Sequence, residues 1–341
     1  MNWKLAPVLA ALATAAAGTA SAEVELVANC HAAPTHVICA KILPTWIESV
    51  EKITEGRVTV RQLASSGAPP PEQLASVQAG IFDMASSQFN GFIADQVVGS
   101  LVSLQPFTTT SDATANSIAL WRTWEKFFSG VDEYEDVHLL GLFSVAGADF
   151  YSMTDQPIQS TGDLQRRMWA VAGVPVDIVS GFGAATISGP AVQMTELIQR
   201  GVVDGFTGIP TADVVELSLQ RYVKSVTRTK RKIFAPSFST FVSDAAWDRI
   251  SPEDQALIMS VSGEAFAAMA GGFYAESEAN AIARLDADIA VYEASPEFEA
   301  ALEAAGAAYS EKWIARAAEK GFDGKAALEF YKATAAELAA K

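Results

Sequence analysis

Apolar and polar positions in the first hundred residues follow a pattern that predicts strands separated by helices. Residues 23–28 alternate between apolar and polar side chains, as a half-buried strand does, and residues 36–53 carry apolar side chains at helical spacing. Residues 57–63 are rich in β-branched side chains, which favour a second strand. A helix is predicted over 72–80, where a glycine suits its end, and a short apolar strand follows over 81–86.

The same alternation continues in the middle of the chain and gives way to helices near the C-terminus. Strands are predicted over 139–144, 150–153, 168–172 and 202–206, and helices over 175–182 and 194–199. From Ser251 onward the composition shifts to Ala, Glu and Lys with helical periodicity, which is interrupted at Gly271-Gly272 and around Ser295-Pro296. The last stretch is therefore predicted to be almost entirely helical.

Alternating strands and helices predict an α/β protein in which helices cover a parallel or mixed sheet. The chain has 341 residues, which is more than one hydrophobic core usually serves. We therefore expect a bilobal fold with two α/β lobes. In such folds a ligand sits in the crevice beyond the carboxyl ends of the strands, and the lobes close over it by a hinge motion.

The N-terminus has the pattern of a removed signal peptide over residues 1–22. Lys4 precedes an apolar run over residues 5–17, and Ala20-Ser21-Ala22 supplies small residues at a cleavage site. The run is Ala-rich and shorter than the roughly 20 apolar residues that a membrane span requires. We expect export to the periplasm and a mature chain that begins at Glu23.

The net charge and the cysteine content restrict which partners and bound metals can be expected. The formal net charge of −16 disfavours nucleic acid, because a phosphate backbone is bound through clustered Lys and Arg. Cys30 and Cys39 are the two cysteines, and in an oxidising compartment a disulfide between them is an open alternative that spacing alone cannot decide. These cysteines, with His31 and His36 between them, do not follow familiar zinc spacings, so no metal site is predicted.

No catalytic pattern stands out along the chain. None of His31, His36 and His138 adjoins a nucleophile of the Gly-x-Ser-x-Gly type, and no phosphate-binding glycine loop is present, so neither an enzyme nor a cofactor is predicted. Two alternatives stay open. A bilobal fold can also carry a periplasmic enzyme, and it can serve as a sensory subunit that presents its ligand-bound form to a receptor.

Several motifs, taken in order, resemble the periplasmic substrate-binding subunits of tripartite ATP-independent periplasmic (TRAP) transporters, the DctP-like family. They are Val-Gln-Ala-Gly-Ile-Phe-Asp-Met at 77–84, Gln-Pro-Ile at 156–158 leading to Gly-Asp-Leu at 162–164, Leu-Ile-Gln-Arg-Gly-Val-Val-Asp-Gly at 197–205, and Trp-Asp-Arg-Ile-Ser-Pro-Glu-Asp-Gln at 247–255. Together they cover essentially the whole mature chain.

This resemblance implies two lobes joined by crossing strands and bridged by a long helix. It also implies capture of a small-molecule solute and its delivery to the membrane permease subunits of a sodium-driven transporter. We expect residues 23–147 and 236–273 to form lobe I, and residues 148–235 and 274–341 to form lobe II. We further expect a monomer.

The chain departs from the family at the positions that usually hold a carboxylate. By resemblance, an arginine is expected on the strand after the Asp163-Leu-Gln-Arg turn and another shortly before Pro157, but Ala170 and Asp149 occupy those places. Losing two guanidinium groups removes the bidentate donors that match a carboxylate. The solute is therefore predicted to be cationic, zwitterionic or neutral. The alternative is a carboxylate, including an aromatic acid, held by a relocated Arg166 or Arg167.

Aromatic residues near these positions fit a cationic solute, because aromatic faces attract ammonium groups. The opposing interpretation is that they are ordinary core residues, since neighbours along a strand face opposite ways. Loops at the strand ends supply further candidate residues. One of them, Glu72, opens a predicted helix, and the alternative for it is a first-turn position where the helix dipole favours a negative charge. The predicted ligand-binding residues are His31, Glu72, Gln88, Phe89, Asp149, Phe150, Trp169, Ala170 and Phe206.

Overall fold

A computed structural model describes residues 24–130, 133–171 and 173–341. The predicted signal peptide lies outside the described residues. The strands are β1 (Val24–Cys30), β2 (Val58–Gln62), β3 (Met84–Phe89), β4 (Val137–Ser144), β5 (Phe150–Ser152), β6 (Arg167–Ala170), β7 (Ala185–Ile187), β8 (Gly205–Thr207), β9 (Ser225–Arg228), β10 (Ser237–Ser243) and β11 (Ala290–Glu293). The α-helices are α1 (Leu43–Ile53), α2 (Gln73–Gln78), α3 (Ala113–Phe127), α4 (Val174–Gly181), α5 (Met194–Gln199), α6 (Thr211–Glu216), α7 (Asp244–Trp247), α8 (Pro252–Ser260), α9 (Gly263–Asp286), α10 (Pro296–Glu319) and α11 (Gly324–Ala339).

The strands form two mixed sheets, one in each lobe. The first sheet has the order β2-β1-β3-β10-β4, in which β1 is parallel to β2 and β3 while β10 is antiparallel to its neighbours. The second has the order β11-β9-β5-β8-β6-β7, in which β5 runs antiparallel to β8 and β9. The predicted α/β class with two lobes is confirmed.

The recurring Gly-x-x-Asp motif performs the same structural task in both lobes. Gly80 and Gly201 follow α2 and α5 with positive φ angles of 69° and 65°, a conformation that glycine adopts without steric cost. Three residues later, an Asp83 carboxylate oxygen accepts a hydrogen bond from the Val27 N–H, and an Asp204 oxygen accepts one from the Arg167 N–H. Each motif therefore turns the chain out of a helix and fixes the next strand beside its neighbour.

Two connections carry the chain between the sheets, one between β4 and β5 and one between β9 and β10. They run side by side, because the Val145 N–H donates to the Pro236 carbonyl at 3.1 Å and the Ala148 N–H donates to the Phe234 carbonyl at 3.3 Å. Helix α9 packs against α3 and β4 on one side and against α6 on the other. It is the long helix that bridges the lobes.

The predicted interruption at Gly271-Gly272 is wrong, because both residues lie inside the continuous helix α9. A Cβ atom on Gly271 would come within 2.7 Å of the Ala113 carbonyl oxygen and of the Ser117 Oγ atom. Glycine here allows α3 and α9 to approach closely, so its role is packing and not helix termination.

The C-terminal helices serve both lobes. Helix α10 packs against α4 of the second lobe, whereas α11 packs against α3 of the first. The predicted lobe boundaries, which place 274–341 in lobe II, stay a prediction. The segment Pro252–Asp286 has the length and composition of a membrane span, but Phe266 and Tyr274 within it are buried in the protein core.

Candidate functional site

A cavity of about 150 Å³ lies between the lobes. It is formed by loops at the strand ends of both sheets, by the start of β10 and by one residue of the bridging helix. The residues that line it are His31, Ala32, Ala33, Thr35, His36, Ile38, Pro70, Phe89, Phe92, Val171, Pro190, Ala191, Val192, Gly208, Ile209, Asp213, Glu216, Leu217, Pro236, Phe238 and Tyr274. Most of these side chains are apolar, as is usual for a small-molecule site.

Part of the wall is a loop that a disulfide closes. Cys30 ends β1 and Cys39 lies in a π-helical turn (Ile38–Ile42), and the two form a disulfide with their Cα atoms 5.7 Å apart. Both His31 and His36 lie in the closed loop and line the cavity. The cross-link therefore restricts the backbone that carries the two histidines.

Aromatic rings form another part of the wall. The rings of Phe89 and Phe92 meet edge to face with their centroids 5.0 Å apart, and Phe238 lies 5.7 Å from Phe89. The His31 imidazole stacks on the Phe238 ring, with the ring centroids 6.5 Å apart. An apolar cavity of about 150 Å³ is large enough to bind benzene. The site thus has the size and lining for one aromatic ring.

One polar contact crosses the cavity from lobe to lobe. The His36 Nε2 atom of the first lobe lies 3.2 Å from an Asp213 carboxylate oxygen on α6 of the second, and their side chains are 13% and 17% exposed. The Tyr274 hydroxyl on α9 donates to the same oxygen at 3.5 Å. Glu278, also on α9, accepts hydrogen bonds from the first N–H groups of α6 at Thr211 and Ala212. The bridging helix therefore fixes the position of Asp213.

The two histidines of the site differ in charge. Burial lowers the pKa of His31 to about 4, with a contribution from the charge of His36, so the His31 ring is neutral at pH 7. Burial also lowers the pKa of His36, but the hydrogen bond and charge of Asp213 and the charge of Glu216 outweigh it and raise this pKa above its ordinary value. Within the described parts of the chain, neither lysine nor arginine lines the cavity. His36 is thus the cationic candidate in the lining.

Residues 29–317 match the family described as bacterial extracellular solute-binding protein, family 7 (DctP). The chain belongs to this family. It is similar to a TRAP periplasmic solute-binding protein from Bordetella bronchiseptica with bound (R)- and (S)-mandelate, at 28% identity and a TM-score of 0.86 over 92% of this chain and 99% of that one. A curated relative, named outer membrane transporter protein TsaT from Comamonas testosteroni, is 34% identical over 91% of both chains.

A TRAP solute-binding protein from Rhodoferax ferrireducens in complex with benzoate has the same fold, with a TM-score of 0.80 at 19% identity over 92% of this chain and 98% of that one. Membership of the DctP family makes the chain a periplasmic TRAP solute-binding protein that works with membrane permease subunits. The family consists of binding proteins and not of enzymes, as predicted. The monomeric state stays a prediction.

The predicted site residues of this DctP-family protein separate into two groups. His31 and Phe89 line the cavity, and their contact with a solute stays a prediction. Gln88 does not line it, since its side chain is buried between α2 and β3, where it accepts from the Leu74 N–H and donates to the Phe89 carbonyl. Glu72 is exposed at the end of a 3-10 turn (Pro70–Glu72), and only Pro70 of that turn reaches the cavity.

Asp149 is not among the residues that line the cavity. Its side chain is 5% exposed, and its carboxylate lies 2.6 Å from the Lys232 ammonium and accepts a hydrogen bond from the Thr229 N–H. The guanidinium of Arg228 is 4.0 Å away. These groups satisfy the carboxylate, so Asp149 forms an ion pair within the crossing segments, and its contact with a cationic solute stays a prediction.

The remaining predicted aromatics are core residues of the second lobe. Trp169 and Phe206 are neighbours in the sheet and are fully buried, and Phe206 stacks on Tyr151 with ring centroids 4.7 Å apart. Phe150 is equally buried and packs against Phe298 of α10. They fill the space between the sheet and its covering helices, so they do not form a cage at the cavity.

Ala170 is buried inside β6, and the neighbouring Val171 is the residue that lines the cavity. The proposed relocation of an arginine is also not seen. Arg166 donates to the Gln156 carbonyl and Arg167 forms an ion pair with Asp204, and neither lines the cavity. Among residues 24–130, 133–171 and 173–341, no group of three or more His, Cys, Asp and Glu side chains is placed to hold a metal ion.

Sequence reasoning missed His36, Asp213 and Tyr274 as site residues. The signal for His36 was its place beside His31 between the two cysteines. Asp213 lies in α6, the helix that follows β8, close to the strand ends where α/β folds place ligand contacts. Tyr274 gave no local signal, because only the path of α9 across both lobes brings it to the cavity.

Proposed function

We propose that this TRAP solute-binding protein captures a small aromatic solute with a single ring. The observation that carries the proposal is the cavity between the lobes, whose volume of about 150 Å³ and aromatic wall suit one ring. The similarity to a mandelate-binding relative at 28% identity supports the same class of solute, since mandelate consists of one ring with a short acidic substituent.

The polar part of the lining bears on the charge of the solute. It combines His36 with the carboxylates of Asp213 and Glu216, and it lacks the arginine that usually clamps a carboxylate in this family. A plain anion would meet like charge in a partly desolvated site, which is unfavourable. Asp149, on which the sequence-based prediction of a non-anionic solute depended, is not at the cavity, but Asp213 and Glu216 disfavour a plain anion on different grounds.

A second candidate is a cationic aromatic amine. Its ammonium group would pair with Asp213, and its ring would occupy the same apolar space. A cationic amine and an aromatic acid share the ring and differ in the sign of their charge. Binding of ring compounds that carry an ammonium group or a carboxylate therefore distinguishes the two proposals.

The test is a thermal-shift and calorimetric panel on the mature protein with mandelate, benzoate, phenylethylamine and succinate. A solute that binds the folded state raises the apparent stability as its concentration rises. We expect at least one ring compound to raise the melting temperature in this way and succinate to have no effect. Stabilisation by succinate with no response to any ring compound would overturn the proposal.

A pair of variants tests the location. Phe92→Ala removes a partly exposed ring from the cavity wall, and Phe330→Ala removes a comparably exposed ring from α11, which does not line the cavity. We expect Phe92→Ala to weaken binding of the ring compound about tenfold, which corresponds to the about 1.4 kcal/mol typical of an aromatic contact. Phe330→Ala should leave the affinity unchanged.

A further inference from the structure

We infer that His36 and Asp213 together recognise two adjacent groups on the solute, an acid group at His36 and a hydrogen-bond donor at Asp213. The protein then selects aromatic acids that carry a hydroxyl or ammonium group beside the acid over plain aromatic acids. This inference rests on the proposed binding of a single-ring aromatic solute and adds the chemistry of its substituent.

The geometry places both partners within reach of one small substituent. Nε2 of His36 and the nearer carboxylate oxygen of Asp213 are 3.2 Å apart, and both residues line the cavity. Adjacent polar groups on a 2-hydroxy or 2-amino acid are separated by a similar distance. A solute that enters beside the pair therefore meets the Nε2–H donor of His36 and the carboxylate acceptor of Asp213 at the same time.

The balance of charge in the lining favours a solute that offers both groups. Asp213 and Glu216 raise the pKa of His36 and so favour its charged form, whereas His31 is neutral because burial lowers its pKa. A plain carboxylate would gain one hydrogen bond from His36 and meet repulsion from the carboxylates of Asp213 and Glu216. A neighbouring hydroxyl or ammonium donates to Asp213 and converts that repulsion into a charge-assisted hydrogen bond.

Asp213 is held rigidly, as a recognition group needs to be. Its helix, α6, begins at Thr211, whose N–H donates to Glu278 on α9 and whose hydroxyl is within 3.1 Å of the Tyr151 hydroxyl. Tyr274 donates to Asp213 from the same bridging helix. The carboxylate therefore keeps its place at the cavity without depending on His36.

The test compares mandelate, phenylglycine and phenylacetate by isothermal titration calorimetry on the mature protein at pH 7. These acids share one ring and differ at the carbon beside the acid, which bears a hydroxyl, an ammonium or only hydrogen. We expect mandelate or phenylglycine to bind at least about tenfold more tightly than phenylacetate, because only these two acids offer Asp213 a charge-assisted hydrogen bond. The Asp213→Asn variant should reduce this ratio to about threefold or less.

Asp248→Asn is the matched control, since Asp248 is an exposed carboxylate at the end of α7 and does not line the cavity. It should keep the wild-type ratio. Equal affinity of phenylacetate and mandelate for the wild-type protein would overturn the inference, even if Asp213→Asn fails to fold. An equal loss for all three acids in Asp213→Asn would also overturn it, because that result identifies a contact that only closes the lobes.

If none of the three acids binds the wild-type protein but another ring compound does, the inference fails and the proposed function stands. If no ring compound binds, the proposed function fails.

Discussion

The ammonium of Lys232 lies 2.6 Å from the carboxylate of Asp149 at the point where the two segments that connect the lobes run side by side. Both side chains are almost fully buried, and the Thr229 N–H completes the contacts of the same carboxylate oxygen. Gly147 lies against the Lys232 side chain, where a Cβ atom would come within 2.1 Å. The ion pair therefore joins the two crossing segments directly.

Removing one partner of this pair should destabilise the fold and leave the cavity intact. Breaking a buried ion pair costs about 3–5 kcal/mol, because the remaining charge is left without a partner. We expect Asp149→Asn to lower the free energy of unfolding toward that range, as measured by urea denaturation. The double variant Asp149→Leu with Lys232→Met should lose less than the sum of the single changes. A weakened affinity for ring compounds at unchanged stability would instead place Asp149 in the binding site.

The disulfide between Cys30 and Cys39 should matter for both stability and binding. The bonded cysteines are nine positions apart, and closing a loop of this length stabilises a protein by about 2–3 kcal/mol in the chain-entropy account. We expect the double variant Cys30→Ser, Cys39→Ser to unfold at lower urea concentration and to bind its ring compound more weakly, because His31 and His36 lie in the loop. Reductant should not change the stability or the affinity of the variant. Reduction of the wild type should bring its stability and affinity close to those of the variant. An unchanged affinity would show that the loop is held without the cross-link.

The histidines give the stability a defined pH dependence. The folded-state pKa of His31 is about 4, below its ordinary value of 6.5, so the unfolded chain binds the proton more tightly and stability is lost as the pH falls from about 6.5 to 4. For a shift of this size the loss is up to about 3 kcal/mol. We expect His31→Gln to flatten this part of the curve of melting temperature against pH.

The effect of pH on stability has the opposite sign for His36, because Asp213 and Glu216 raise its pKa despite burial. Its contribution is complete below pH 6.5 and is lost as the pH rises through the raised pKa. His36→Gln is therefore the matched comparison: it should remove the loss of stability above pH 6.5 and keep most of the acid loss between pH 6.5 and 4. His138, whose pKa burial also lowers, is present in both variants and cancels in the comparison. Identical pH profiles for the wild type and His31→Gln would contradict this assignment.

Two adjacent glycines in α9 should respond in opposite ways to the same substitution. Gly271→Ala places a methyl group 2.7 Å from the Ala113 carbonyl oxygen, so α3 and α9 must move apart, and overpacking of this kind costs about 1–3 kcal/mol. A Cβ atom on Gly272 meets nothing within 4 Å, so Gly272→Ala should stabilise the helix by about 0.5–1 kcal/mol. Calorimetric melting of the two variants beside the wild type measures both effects. Equal destabilisation by both would show that helix packing is not the reason for Gly271.

The pattern of the sequence predicted most of the fold. Strand periodicity located β1, β2, β4 and β5 to within a few residues, and helical periodicity located α5 at its observed bounds, Met194–Gln199. Such patterns are reliable because each element buries one face, and the apolar residues of that face recur at regular spacing in its own sequence. The role of Gly271 could not be predicted in this way, because a glycine that ends a helix and a glycine that allows a neighbouring helix to pack closely look alike in sequence.

The sequence by itself determined the family and the two α/β lobes, and it predicted that Asp149 and Ala170 replace the usual arginines. It could not show that Asp149 is already paired with Lys232, a partner 83 positions away. Only the tertiary structure decided that His36 meets Asp213, 177 positions along the chain, at a cavity between the lobes. The physical reason is that local patterns record how deeply a side chain is buried, whereas the contacts of a binding site depend on which distant loops the two lobes and the bridging helix bring together.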